Sequence, residues 1–313
     1  MSMNVSRREY LAATGAAVML PAAPLLAGAA DVAGNGRPHI ATNTYPWLTF
    51  ARRAGQPFEL HSDELLAGVA STGIVGYEPI INEVNEFDGL AERLRRHGLE
   101  MRSIYVNSTL HDESVADSSV DTVMRIATGA RELGSKIVVT NPSPIRWGET
   151  EDKNDEQLRL QAKKLNELGE RLRKLGITLA YHNHDAELRQ GGREFHHMLT
   201  ATDPQNVKLC LDAHWVFRGC GDSEVAVFDA LQHYHGRIVE LHLRQSSSGV
   251  WTEAFAMQGD IDYDRMFRFL KSKQITPHLV LEQAVEEKSP KTMSAVEAHR
   301  QSRANLAEAI ALS

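Results

Sequence analysis

The sequence predicts an α/β fold, a single (β/α)8 barrel, on three observations. From residue 38 onward, eight short β-branched runs alternate with segments of helical pattern. Three of the helical stretches close on a glycine and lead at once into a new run: LAERLRRHG into LEMRSIYVN, IATGARELG into SKIVVTNP, and LGERLRKLG into ITLAYHNHD. No G-x-G-x-x-G follows the first run, which weakens the runner-up, a doubly wound open sheet.

In chain order the strand candidates are HIATNTYPW, GIVGYEPI, EMRSIYVN, KIVVTNP, TLAYHNH, VKLCLDAHW, RIVELHLRQ and HLVLEQ. Gly98, Gly134 and Gly176 stand where a helix C-terminus turns through positive φ, which glycine adopts without steric cost. Ahead of Gly176, Leu158, Ala162, Leu165, Leu168 and Leu172 recur at three- and four-residue steps and define one apolar helix face. A last helix is expected from about Pro290 to Leu312. No Pro/Gly/Ser-rich linker interrupts residues 31–313, so that stretch reads as one domain.

Of the 313 residues, 42% are hydrophobic and 24% charged, an ordinary globular balance that can fill one core. The net charge of -7 argues against a nucleic-acid partner, which needs a basic face. With only Cys210 and Cys220 there is no disulfide framework, and Cys210, inside an apolar run, reads as a buried free thiol. Residues 6–30, SRREYLAATGAAVMLPAAPLLAGAA, set Arg7-Arg8 before a short apolar stretch and Ala27-Gly28-Ala29. That is the layout of an export signal, and the paired arginines resemble the twin-arginine type. Pro21 and Pro24 break the stretch and speak against a permanent membrane span, and no cysteine follows it to take a lipid anchor. The expectation is a signal peptide over 1–30 and a mature protein in the periplasm or outside.

In a barrel of this kind, chemistry sits at the C-terminal ends of the strands. There the sequence places Asn43, Glu78, Asn107, Asn141, His182 with His184, Asp212 with His214, His242 and Glu282. Strand alternation sorts them. Leu179 and Tyr181 turn outward, which points His182 and His184 to the axis. Leu209 and Leu211 outward leave Cys210, Asp212 and His214 inward. Val239, Leu241 and Leu243 outward leave Glu240, His242 and Arg244 inward, and Leu279 and Leu281 outward leave Glu282 inward. Four adjacent strands thus aim His182, Asp212, His242 and Glu282 at one end. Two imidazoles and two carboxylates suit one divalent ion such as Mn, Co, Zn or Fe better than Mg or Ca. Each residue alone has a plainer reading, such as a hydrogen-bonded core histidine, and their coincidence is what points to metal.

The order YHNHD…LDAHW…ELHLRQ…LEQ resembles the xylose isomerase-like TIM-barrel superfamily, in its sugar isomerase/epimerase, inosose dehydratase and 3-keto-glycoside lyase-like branch, from about His39 to the last helix. The resemblance implies one divalent metal held by Glu, Asp, His and Glu from strands five to eight. Asp212, His242 and Glu282 fall on the last three positions, and His182 falls where glutamate is usual. Epimerases of the group use the two glutamates as acid and base, and here only Glu282 of that pair is present. A second departure is HLRQ in place of HLKD, which sets Arg244 at the lysine position. Both speak against a plain epimerase. GDIDY, residues 259–263, matches the loop that shapes the pocket.

The chemistry so implied is proton abstraction next to a metal-bound carbonyl. His184 and His214 are the candidate bases, with Glu282 as the alternative, and the roles of His182 as ligand and His184 as base are open to exchange. Arg244 either stabilises oxyanion charge or pairs with Glu240. Asn141, Asn107, Glu78, Trp47, Trp215 and Trp251 are the expected substrate contacts. Trp47, Trp147, Trp215 and Trp251 all fall at or just past strand ends, and at least two of the four are expected as ordinary packing. Export and the lack of a phosphate-binding glycine loop favour a neutral sugar, a cyclitol or an oxidised glycoside. A lyase or hydratase on 3-keto-glycosides is set ahead of an isomerase/epimerase. A metal-dependent endonuclease and a non-catalytic sugar-binding protein are the rivals from other classes. Barrels of the group often dimerise, which leaves a homodimer open, with no interface legible in the residues.

Overall fold

The computed structural model describes residues 32–33 and 37–312. Eight parallel strands form a nearly closed barrel: β1 (Ile40–Asn43), β2 (Gly76–Glu78), β3 (Ser103–Tyr105), β4 (Ile137–Thr140), β5 (Thr178–His182), β6 (Val207–Asp212), β7 (Ile238–Leu243) and β8 (His278–Leu281). Their order around the sheet is β2-β1-β8-β7-β6-β5-β4-β3. Across the seam, the Tyr105 N–H donates to Pro79 O and the Ile81 N–H to Tyr105 O, each at 2.9 Å. Every strand expected from the sequence is present. The helices are α1 (Thr44–Arg53), α2 (Asp63–Ser71), α3 (Leu90–His97), α4 (Ala116–Glu132), α5 (Asp155–Lys174), α6 (Asp185–Thr200), α7 (Ala213–Gly219), α8 (Glu224–Tyr234), α9 (Tyr263–Ser272) and α10 (Ala295–Leu312).

Gly98, Gly134 and Gly176 have φ of 65°, 104° and 75°, so the chain does leave its helices through glycine. The final helix starts five residues later than its apolar pattern suggests. Ser294 Oγ accepts from the Glu297 N–H while Glu297 Oε2 accepts from the Ser294 N–H, and this reciprocal cap sets the start.

Two apolar layers result. Leu179, Tyr181, Leu209, Leu211, Leu241, Leu243, Leu279 and Leu281 pack outward against the helices, as alternation requires. Inside the barrel lies a smaller cluster of Tyr105, Val139, Ala180 and Cys210. One expected orientation fails. Leu209 pairs with Ile238 but Cys210 pairs with Glu240, so Val239 is an extra residue in β7 and packs against the inner cluster instead of outward. Beyond β7 a two-stranded ribbon, Ser246–Ser247 with Val250–Trp251, rises from the C-terminal face. Among the described residues no helix is long and apolar enough to cross a membrane. The expected export signal, with Arg7 and Arg8, lies outside the described residues.

Candidate metal centre and active site

The end of β5, the end of β6 and the first residue after β8 bring His182, Asp212 and Glu282 together. Each offers a ligand atom, and these atoms lie within 4.8 Å of one another. All three side chains are buried, yet both ring nitrogens of His182 and Oδ2 of Asp212 have no hydrogen-bond partner. A buried polar atom left unpaired costs about 1–3 kcal/mol, so a cluster of them marks a place built for a ligand. Asp212 is held by its other oxygen, which caps α7 by accepting the Trp215 N–H at 2.9 Å. Asn183 brackets its backbone from β5, donating to Asp212 O at 3.0 Å and accepting the Asp212 N–H at 3.2 Å. The donor set, two carboxylates and an imidazole, fits a divalent ion of borderline hardness.

His242 borders this triad instead of standing in it. Its Nδ1 lies 3.3 Å from Glu282 Oε2, while its Nε2 turns inward to Glu78 Oε1 at 3.0 Å and Glu240 Oε1 at 3.2 Å. Glu78, expected at the substrate, is fully buried and fully bonded: it accepts from Asn43 Nδ2 at 2.6 Å and from Ser103 Oγ at 2.7 Å. Its carboxylate therefore braces His242 from across the barrel. Burial alone would raise the Glu78 carboxyl, but the neighbouring His242 charge and hydrogen bonds hold it down to about 2. Burial and the Glu78 charge push Glu240 well above the carboxylate range. Burial works to neutralise His242, and the surrounding acidic groups overcome it and hold the imidazole protonated.

His184 stands at the mouth as the N-cap of α6. Its ring lies 4.8 Å from that of His182, 5.1 Å from Trp147 and 5.5 Å from Trp215, and its Nδ1 has no partner. Burial pulls its imidazole down to about 4, so the ring is neutral with a lone pair available. His182 is also held neutral, by burial first and then by the charges of His242 and His184. Both histidines are positioned by a pair outside the pocket. Glu187 accepts the His184 N–H at 2.6 Å, and Asn141 Nδ2 donates to both His182 O at 3.0 Å and Glu187 Oε1 at 3.1 Å. Asn141, expected at the substrate, thus clamps the end of β5. Glu187 was not singled out in the sequence, although a glutamate three residues into α6 after its N-cap is a legible signal.

Arg244 is buried to 1% exposure and donates from Nη2 to Glu282 Oε2 at 2.9 Å and from Nε to Glu282 O at 3.0 Å. It therefore pairs with Glu282, not with Glu240, which belongs to the His242 group. Its guanidinium lies 4.9 Å over Trp215 and 4.3 Å over Trp251. Trp251, 5% exposed, also lies under Arg218 at 4.5 Å, so it is a wall of the site with no open face for a sugar. Half-buried Trp215 and the 56%-exposed Trp147 are the aromatic surfaces at the mouth.

Three further expectations are corrected. His214 is not inward of the triad: the chain turns into α7 straight after Asp212, so strand alternation no longer applies. Its Nε2 lies 2.9 Å from Ser246 Oγ, which donates to Asp260 Oδ2 at 2.6 Å, and its ring packs beside Phe217 and Trp251. Trp47 lies in α1, donates to Thr42 Oγ1 at 3.3 Å and stacks on His299 at 4.2 Å on the helix side of the barrel. Asn107 is exposed beyond β3 and has no hydrogen bond to the described site. The GDIDY loop behaves as expected: Asp260 also accepts the Ser248 and Gly249 N–H groups and staples the ribbon that carries Trp251.

The family model described as xylose isomerase-like TIM barrel matches residues 67–309. The chain belongs to this family. An inosose dehydratase of Clostridium perfringens is 28% identical over 147 residues, 41% of this chain and 48% of its own length, so the chain spans about half of that relative. A sugar phosphate isomerase/epimerase structure from Parabacteroides distasonis superposes with a TM-score of 0.67 at 17% identity, over 89% of this chain and 97% of that one. The apo form of a 3-keto-D-glucoside 4-epimerase from E. coli superposes with a TM-score of 0.62 at 15% identity, over 85% and 97%. At these identities the structural matches speak for the barrel itself.

Proposed function

We propose that this xylose isomerase-like barrel is a divalent-metal-dependent enzyme. It removes a proton next to the carbonyl of a non-phosphorylated keto-sugar glycoside or cyclitol and eliminates the neighbouring oxygen substituent. One observation carries the reading. A neutral, half-buried imidazole whose Nδ1 has no partner, His184, stands beside the triad, while Glu282, the remaining carboxylate of the usual acid–base pair, is tied to Arg244.

In this reading His182, Asp212 and Glu282 hold the ion, with His242 next to them. The bound ion supplies Lewis-acid polarisation of the carbonyl. His184 Nδ1 takes the α-proton; the C–H electron pair becomes a C=C bond as the adjacent C–O bond breaks, and the leaving oxygen departs with the proton that His184 collected, which restores the neutral ring. Arg244 Nη1, buried without a partner, is placed to donate to oxygen that gains negative charge. Trp215 and Trp147 offer faces to the C–H edge of a sugar ring. The dehydratase name of the sequence relatives supports elimination. Epimerisation, in which the proton returns to the other face, is the second reading, and the 3-keto-glucoside epimerase among the fold neighbours favours it.

The test is incubation of the Mn- or Co-loaded protein with an aryl 3-keto-β-glucoside. Aglycone release with a 2-hydroxy-enone product is expected, and a His184→Ala variant that keeps its metal should lose it. Proton exchange with an epimer and no aglycone would select the second reading, and neither product would defeat both. We also propose twin-arginine export of a mature barrel over 31–313; Arg7→Lys with Arg8→Lys should leave the protein in the cytoplasm on fractionation.

A further inference from the structure

A second set of donors lies directly beneath the triad. Strand register places His182 of β5 opposite Cys210 of β6, and Cys210 opposite Glu240 of β7. These three side chains share one level and one face of adjacent strands, inside the barrel. His242, two residues above Glu240, leans over the same spot, with its ring centre 4.6 Å from that of His182. His182, Cys210 and His242 each offer a ligand atom within 4.8 Å of one another, and all are at 0% exposure.

His182 and Glu240 are short of partners at this spot, whereas His242 is shared among Glu78, Glu240 and Glu282, contacts that an ion would have to displace. Neither nitrogen of His182 has a hydrogen bond and Glu240 Oε2 has none, while the Cys210 sulfur lies 3.6 Å from Glu240 Oε1 and in hydrogen-bond contact with His242. The bland reading of Cys210 is an apolar filler beside Ala180 and Val139. A filler does not need two imidazoles and a carboxyl at ligand distance. One thiol, two imidazoles and one carboxyl are a donor set for a four-coordinate soft or borderline ion, whereas the upper triad offers mostly oxygen.

The geometry points to a second, softer metal position, His182–Cys210–His242 with Glu240 as the fourth donor, which takes thiophilic divalent ions such as Zn or Cd. Because His182 serves both positions, an ion below excludes an ion above. The barrel thus holds either a harder ion at its mouth or a thiophilic ion one layer deeper. Binding replaces the Cys210 S–H bond by a sulfur–metal bond and releases to solvent the thiol proton, one ring proton of His242 and the Glu240 carboxyl proton. This inference concerns ion binding and stands whichever reaction the mouth performs.

Cadmium titration of the full chain, freed of metal by chelation, tests it. The expected result is an ultraviolet thiolate-to-cadmium band that saturates at one ion per chain, is abolished by Cys210→Ser and survives Cys220→Ser. Cadmium NMR of the wild type, expected to show a one-sulfur environment, gives the same answer without any variant. Manganese bound beforehand should appear as free ion in its EPR spectrum as cadmium is added. Asp212→Asn, which weakens the upper position on which the proposed function rests, should leave the band in place. No band in the wild type, a band that survives Cys210→Ser or is lost with Asp212→Asn, or manganese that stays bound at cadmium saturation would each overturn the inference.

Discussion

Two polar regions cross the barrel one above the other, and they treat their buried groups in opposite ways. Around Glu78, donors and acceptors are matched: Asn43, Ser103 and His242 all converge on one carboxylate. At the mouth, buried His182 and Asp212 and half-buried His184 leave ring nitrogens and an oxygen without a hydrogen bond. Both regions draw on buried carboxylates and imidazoles; satisfaction is what separates them most clearly. A matched buried network holds the fold, and an unmatched one at the strand ends awaits something from outside.

The sharpest way to break this contrast is to remove Glu78. Glu78→Ala strands the His242 charge and two donors in the interior, and urea unfolding should show a loss of about 3–5 kcal/mol. Asp212→Asn should do the reverse, with near-neutral stability in the metal-free protein because the amide oxygen can still cap α7. Calorimetry should find its affinity for Mn down by more than ~100-fold, beyond what changes to outer hydrogen-bond partners produce. Similar stability losses in both variants would erase the distinction between the regions.

Protonation offers a finer comparison. Histidine-selective NMR of the metal-free protein at neutral pH should find His242 as an imidazolium and both His182 and His184 neutral. The sign of the linked stability follows. His184 takes a proton near 6.5 when unfolded and only near 4 when folded, so its contribution is complete above 6.5. Stability should fall as pH drops from 6.5 towards 4, by up to about 3 kcal/mol for this group. His184→Gln should flatten that part of the profile. The smallest effect belongs to the exposed rim: Trp147→Ala should change stability by less than about 0.5 kcal/mol while raising KM for a glycoside.

Much of this was legible beforehand because parallel barrels repeat one local rule. Period-two alternation correctly turned Asp212, His242 and Glu282 inward, and glycine after a helical face marked three of the returns. The rule failed where the backbone left the strand. Val239 sits in a bulge and His214 lies in α7, so alternation misplaced both, and Trp47, expected as a substrate contact, belongs to α1. It was also silent about distance around the barrel. Nothing in GYEP or ELHL tells that Glu78 of β2 meets His242 of β7, since that contact depends on strand tilt and barrel radius.

By itself, then, the sequence determined the eight-fold alternation, the level at which polar side chains accumulate, and a donor set suited to a divalent ion. These follow from local periodicity and residue chemistry. Only the tertiary structure decided which of those polar groups complete one another and which are left waiting, because satisfaction is a property of pairs brought together across the barrel. That is why Glu78 moved from the substrate to the brace behind His242, and why Cys210, plain in the sequence, came to lie among metal-ligand atoms.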